Sequence, residues 1–191
     1  MKYNFRYMLS FSITFRIVVS LVLLLSFSLE VLADVCVWRD PEKTMALIFP
    51  QARDYKTLDR KISNEKRTNI EKRIGKPLDP GERETWSHHE IIGHNGKTIG
   101  YIIADAEKGE YGVIEIVMGI TPDGKVKQVY IQRARERNKE LKSKEFLEQF
   151  VNKTKEDPIT LGKDIKAESS ITTQQVAFAV RKMLVMFDEL H

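Results

Sequence analysis

Tyr111-Gly112-Val113-Ile114-Glu115-Ile116-Val117-Met118-Gly119-Ile120-Thr121-Pro122-Asp123-Gly124-Lys125-Val126-Lys127-Gln128-Val129-Tyr130-Ile131-Gln132-Arg133 carries the decisive pattern of this chain. Two β-branched runs flank Pro-Asp-Gly, whose residues favour a tight reversal, so the stretch predicts a hairpin with strands over 111–121 and 125–133. Ile114, Ile116, Met118 and Ile120 share one face of the first strand, and in the second Val126, Gln128, Tyr130 and Gln132 alternate with Lys127, Val129, Ile131 and Arg133. Immediately upstream, His94-Asn95-Gly96 marks another turn between strands over 84–92 and 97–106. Together these segments predict a meander of about four antiparallel strands with one face to be covered. Helices supply the cover. Ser143 can cap a helix that places Phe146, Leu147 and Phe150 on one side. A final helix, about 173–190, repeats Val176, Val180, Leu184 and Phe187 at helical spacing. Strands followed by covering helices indicate an α+β domain.

Outward from this core, residues 34–83 read as a helical extension and linker. Pro41 opens a first helix that Pro50 stops, and a second, over 64–74, has Ser63 as its cap and Gly75 as its terminator. Ile62, Ile70 and Ile74 form a thin apolar stripe on that otherwise charged surface helix. Residues 1–33 have the pattern of an export signal: Lys2, Arg6 and Arg16, the apolar run 17–25, and Val31-Leu32-Ala33 before a cut at Asp34. The domains expected are therefore a signal peptide over 1–33, the extension over 34–83, and a folded domain over 84–191, exported to the periplasm or the outer face of the cytoplasmic membrane.

The bulk numbers exclude several function classes. With 191 residues, 42% hydrophobic and 30% charged, the chain has material for one core. A formal charge of +4, with Lys and Arg interleaved with Glu and Asp, does not suit a nucleic-acid partner. Cys36 is the only cysteine, which rules out an internal disulfide and reads as an unpaired thiol near the terminus. His88 and His89 are adjacent in a strand and point to opposite faces, so they cannot chelate one ion together; solvated strand and turn histidines are expected, with no metal site. No nucleophile elbow, metalloprotease helix or glycine-rich phosphate loop occurs.

One stretch remains: Asp164-Ile165-Lys166-Ala167-Glu168-Ser169-Ser170-Ile171-Thr172-Thr173. Ser169, Ser170, Thr172 and Thr173 put four hydroxyls in five positions at the start of the last helix. Unpaired N–H groups and the positive end of the dipole favour an anion there. The alternative is a helix cap at Ser170 or Thr172.

Residues 109–126 resemble the central strand pair of the FMN-binding domain family, which includes the flavin-carrying subunits of sodium-pumping quinone reductase and Rnf-type electron-transport complexes. Phe146-Leu147-Glu148-Gln149-Phe150 looks like that family's helix after the central loop. Residues 164–180 fall where it has its flavin-attachment signature, so the resemblance covers roughly 84–188. It implies an FMN cofactor, a membrane redox complex or soluble electron carrier as partner, and a flavin transferase if the protein is covalently modified. Thr172 aligns with the threonine esterified to FMN phosphate, with Ser169, Ser170 and Thr173 as supporting donors. Ser170 and Ile171 replace the Gly-Ala pair that the transferase reads, and both are more restricted than glycine. The resemblance therefore implies FMN binding more firmly than an ester at Thr172. The segment 133–141, with Arg133, Arg135 and Arg137, replaces a Glu-Thr-Pro-Gly-like turn with a basic loop able to meet phosphate or an acidic partner. Two functions are expected from this pattern: an exported FMN-binding electron-transfer module, or a flavin-free degenerate member acting as an assembly or interaction subunit.

Overall fold

The computed structural model describes residues 41–191, with the side chains of Pro41 and Glu42 excepted; the expected signal segment and Cys36 lie outside the described residues. No helix among the described residues is long and apolar enough to cross a membrane.

Helix α1 (Pro41–Ile48) leads into β1 (Ala52–Lys61), and α2 (Asn64–Ile74) follows. Four strands then run consecutively: β2 (Thr85–Gly93), β3 (Thr98–Lys108), β4 (Val113–Ile120) and β5 (Val126–Arg133). The short helix α3 (Lys144–Leu147) passes into a 3₁₀ turn, Glu148–Phe150, and the long α4 (Ile171–Leu190) ends the element order. The sheet is antiparallel throughout, in the order β1-β2-β3-β4-β5. The expected α+β architecture, an antiparallel sheet under helices, is the one observed.

The fifth strand corrects the reading of residues 34–83 as helices and linker. Residues 52–61 pair with β2 apart from a bulge at Arg53, with Thr57 opposite His89 and Arg60 opposite Trp86. The strand escaped notice because Ala-Arg-Asp-Tyr-Lys-Thr-Leu-Asp-Arg-Lys is a charged edge with no fully buried residue. Charge on an edge strand discourages further pairing, at the cost of a clear apolar alternation. The two flanking helices form as expected: Ser63 accepts from the N–H of Lys66, and Gly75 takes the left-handed conformation (φ 81°) that stops α2.

Two clusters fill the two sides of the sheet. The larger gathers Ile103 of β3, Ile114, Ile116, Met118 and Ile120 of β4, and the apolar face of α4 from Val176 to Leu190, with Ile70 and Ile74 of α2 and Phe146 and Phe150 beside α3. The smaller packs Ile91, Ile102 and Val117 against Met45, Ile48 and Phe49 of α1 and its end. Both faces are therefore covered, not one.

In β5 the strict alternation expected from the sequence is broken. A register shift between Gly119 and Ile120 leaves Lys127 unpaired, with Gly119 opposite Gln128 and Ile120 opposite Val126. This bulge brings Val126 onto the same core face as Val129 and Ile131.

Helix α1 can lie close to the sheet only because glycines face it. A Cβ on Gly119 would sit 2.3 Å from Ile48 Cγ2, and one on Gly100 2.4 Å from the Phe49 ring. Gly100 also has φ 156°, where side chains are rarely tolerated. Replacing Gly100→Ala is expected to cost on the order of 2–3 kcal/mol in urea unfolding. A loss below about 0.5 kcal/mol would show that Phe49 does not rest on this backbone.

Candidate functional site

The hydroxyl run lies at the N-terminus of α4, and the structure divides it into three roles. Ser170 is the N-cap: its Oγ accepts from the N–H of Thr173, and Thr173 Oγ1 accepts from the N–H of Ser170, at 3.2 Å each. This reciprocal pair satisfies two backbone donors and sets the entry angle of the helix. Thr173 Oγ1 also donates to the carbonyl of Glu168 at 2.6 Å, and Asn138 Nδ2 donates to Ser170 Oγ at 3.2 Å. Ser169 is exposed and accepts from Gln174 Nε2 at 3.1 Å.

Thr172 takes the third role. It is not the cap, and it is only 1% exposed. Its hydroxyl donates to Glu136 Oε2 at 2.7 Å. The same carboxylate accepts from the N–H groups of Glu110 (3.2 Å) and Tyr111 (3.1 Å) in the β3–β4 turn. Burial pushes the Glu136 carboxyl up, yet the Thr172 hydroxyl and the N–H groups of Tyr111, Glu110 and Gly112 hold it below the usual range. Gly109 permits this approach, since a Cβ there would lie 2.3 Å from Glu136 Oε1. The locus is thus an anion-accepting nest, and the anion in it belongs to the chain itself. Among the described residues, the N–H groups of Ile171 and Thr172, in the first turn of α4, have no hydrogen-bond acceptor. The segments that meet at Glu136 carry three of the exposed large apolar residues: Tyr111 (46%) of the β3–β4 turn, Val113 (56%) at the start of β4 and Ile171 (54%) at the start of α4.

The basic loop divides as well. Arg133 pairs with Glu115 at 3.6 Å, Arg137 lies 4.8 Å from the centre of the Tyr111 ring, and Arg135 is exposed. Glu136, between the last two, was missed in the sequence because a lone carboxylate among arginines looks like a solvated counter-charge.

A second constellation was also missed. Lys182 Nζ, on a side chain 2% exposed, lies 2.7 Å from Glu82 Oε1, 2.8 Å from Asp105 Oδ1 and 2.8 Å from Glu107 Oε1. Lys76 approaches Glu107 at 3.5 Å from the surface. Burial pushes the Asp105 carboxyl up to about 7 against the pull of Lys182, helped by Glu82 and Glu107. Lys182 is held above its ordinary range because its three carboxylates outweigh its own desolvation. In the sequence, Arg181-Lys182 looks like the polar side of an amphipathic helix; the available signal was that Ala179, Met183 and Met186 make that side apolar too. Lys182→Met would leave three carboxylates around a neutral chain, and it is expected to lower stability by about 3–5 kcal/mol in urea unfolding. An unchanged midpoint would mean that these carboxylates are neutral or solvated.

The histidines correct another expectation. His88 and His89 do point to opposite faces, but neither is solvated. His88 stacks on Trp86 with ring centres 4.5 Å apart, and its Nε2 meets His191 Nδ1 at 3.3 Å. His89 meets Thr57 Oγ1 at 3.0 Å and packs edge-on to Tyr55. His94 is exposed at its turn, and His191 is exposed as the last residue. Among the described residues no group of His, Cys, Asp and Glu is arranged to hold a metal ion.

Burial, with His191, Arg60 and His89 nearby, lowers His88 from its ordinary 6.5 to about 4. The unfolded chain therefore binds a proton that the folded chain refuses as the pH falls from 6.5 to about 4. Stability is lost across that window, on the order of 3 kcal/mol from this group. His88→Phe should flatten the slope of unfolding free energy against pH there, and equal slopes in both proteins would remove His88 as the cause.

No family model matches the chain, and no curated relative matches it either.

Proposed function

We propose that this chain is an exported electron-transfer module that receives the phosphate of FMN, without a covalent bond, at the N-terminus of α4. One observation carries the reading. Glu136 ties the turn and strand start that expose Tyr111 and Val113 to the start of α4, where Ile171 is exposed, the N–H groups of Ile171 and Thr172 find no acceptor among the described residues, and the Ser169 hydroxyl is exposed beside the half-buried Ser170. A flavin needs both parts, an apolar surface for its ring and fixed donors for its phosphate.

The fit differs among the four hydroxyls. Ser169 and Ser170 suit a phosphate contact. Thr173 serves the capping box and supports the loop from within. Thr172 does not fit an ester as it stands, because it is buried and its hydroxyl is bonded to Glu136. When bound, the flavin would supply the one- and two-electron chemistry, while the chain supplies placement, electrostatics and water exclusion. The partners in this reading are a membrane redox complex or a soluble carrier outside the cytoplasmic membrane.

The second reading, a flavin-free interaction subunit, is favoured by Glu136: the nest already holds a carboxylate. FMN titration of the full chain, followed by flavin fluorescence and by intact mass after expression with a flavin transferase, separates the two. The expected outcome is FMN uptake with unmodified mass, weakened about tenfold by Ser170→Ala and strengthened by Glu136→Gln, which removes the competing charge. An adduct abolished by Thr172→Ala would restore the ester. A protein that takes up no FMN in either form would leave the interaction subunit standing.

A further inference from the structure

The far edge of the sheet carries a feature that the flavin reading does not use. A groove of about 580 Å³ runs along β5, lined by residues 127–132 of the strand and by Lys142, Lys144, Leu147, Glu148 and Val151. Strand β5 is an edge, bonded to β4 on one side only.

Its outer side begins to pair and then stops. The N–H of Val126 donates to the carbonyl of Lys153, and the N–H of Asn152 donates to the carbonyl of Val126, both at 2.8 Å. Among the described residues no further backbone bond is made on that side between Gln128 and Arg133. The edge is therefore closed for one residue and open for the rest of its length. An open edge is a template for an extended chain, with backbone bonds supplying affinity and alternate side chains supplying selection.

The lining says which chain. Three lysines, Lys127, Lys142 and Lys144, face one carboxylate, Glu148, which lies 3.5 Å from Lys144. Lys127 and Lys142 have no acidic partner among the described ion pairs, and Lys127 lies over the Phe49 ring at 5.3 Å. Leu147 and Val151, the latter 36% exposed, provide an apolar wall. The Gln132 amide oxygen, also in the lining, is buried without a hydrogen-bond partner.

We propose that the outer edge of β5 is a docking groove for an extended segment of a partner protein, in which acidic side chains alternate with apolar ones. The segment joins the sheet as a further strand beyond Val126. Its carboxylates meet Lys127, Lys142 and Lys144, and its apolar residues lie on Leu147 and Val151. A basic or uncharged strand would leave the lysines unmatched, and a second copy of this edge would place lysines against lysines.

The test uses the full chain and synthetic peptides of alternating Glu and Val, measured by fluorescence anisotropy. Three controls accompany them: a Lys-Val counterpart, a version N-methylated at alternate amides, and the double variant Lys127→Glu, Lys142→Glu. The Glu-Val peptide is expected to bind, to weaken as salt rises from roughly 50 to 500 mM, and to lose about tenfold in affinity on N-methylation or in the double variant. Equal binding of the N-methylated peptide would overturn strand addition, since that change spares the protein and the charges. Equal binding of the Lys-Val peptide would overturn the charge selection. Dimerisation of the chain through β5, detected by sedimentation and lost in the double variant, would overturn the proposal in favour of a second copy.

Discussion

Lys182 is the constraint on which the rest of the structure depends. A buried ammonium cannot stand alone, because the loss of water costs several kcal/mol that only close opposite charge can offset. Its partners come from two distant parts of the chain, Asp105 and Glu107 of β3 and Glu82 of the turn before β2. These bonds set the long helix at one position over the sheet. Apolar packing of Val176, Val180 and Leu184 would tolerate small slides, since it is not directional; three ion pairs of 2.7–2.8 Å to one nitrogen, one of them a hydrogen bond to Glu82, would not. Arg73 of α2 adds a second clamp at the other helix, bonding Asp188 and Glu189.

Fixing α4 also fixes where it begins, and that beginning is the candidate site. Ser170 and Thr173 close the cap between them, which leaves Thr172 pointing inward to Glu136. Glu136 in turn ties the β3–β4 turn to the helix through the N–H groups of Glu110 and Tyr111. The site is thus built from three segments that no local sequence window contains. The surface chemistry there, exposed apolar side chains on segments joined to a helix start whose first N–H groups find no acceptor among the described residues, differs from that of the β5 edge, where lysines line an open backbone. The two surfaces suit two different kinds of ligand on one small sheet.

The sequence by itself determined the meander from β2 to β5, both flanking helices of the extension, and the terminal helix, because turn chemistry and apolar period are local properties. It also marked the hydroxyl run as the start of that helix and separated His88 from His89 by face. Only the tertiary structure decided the rest. Strand β1 is specified by pairing with β2 and carries almost no burial signal of its own. The bulge at Lys127 moves Val126 to a face its spacing did not assign. Thr172 and Lys182 look like ordinary helix positions until Glu136, Asp105, Glu107 and Glu82 arrive from 36, 77, 75 and 100 residues away. The physical reason is the same in each case: a charge or hydroxyl takes its role from the partner that satisfies it, and distant partners leave no periodic trace in the chain.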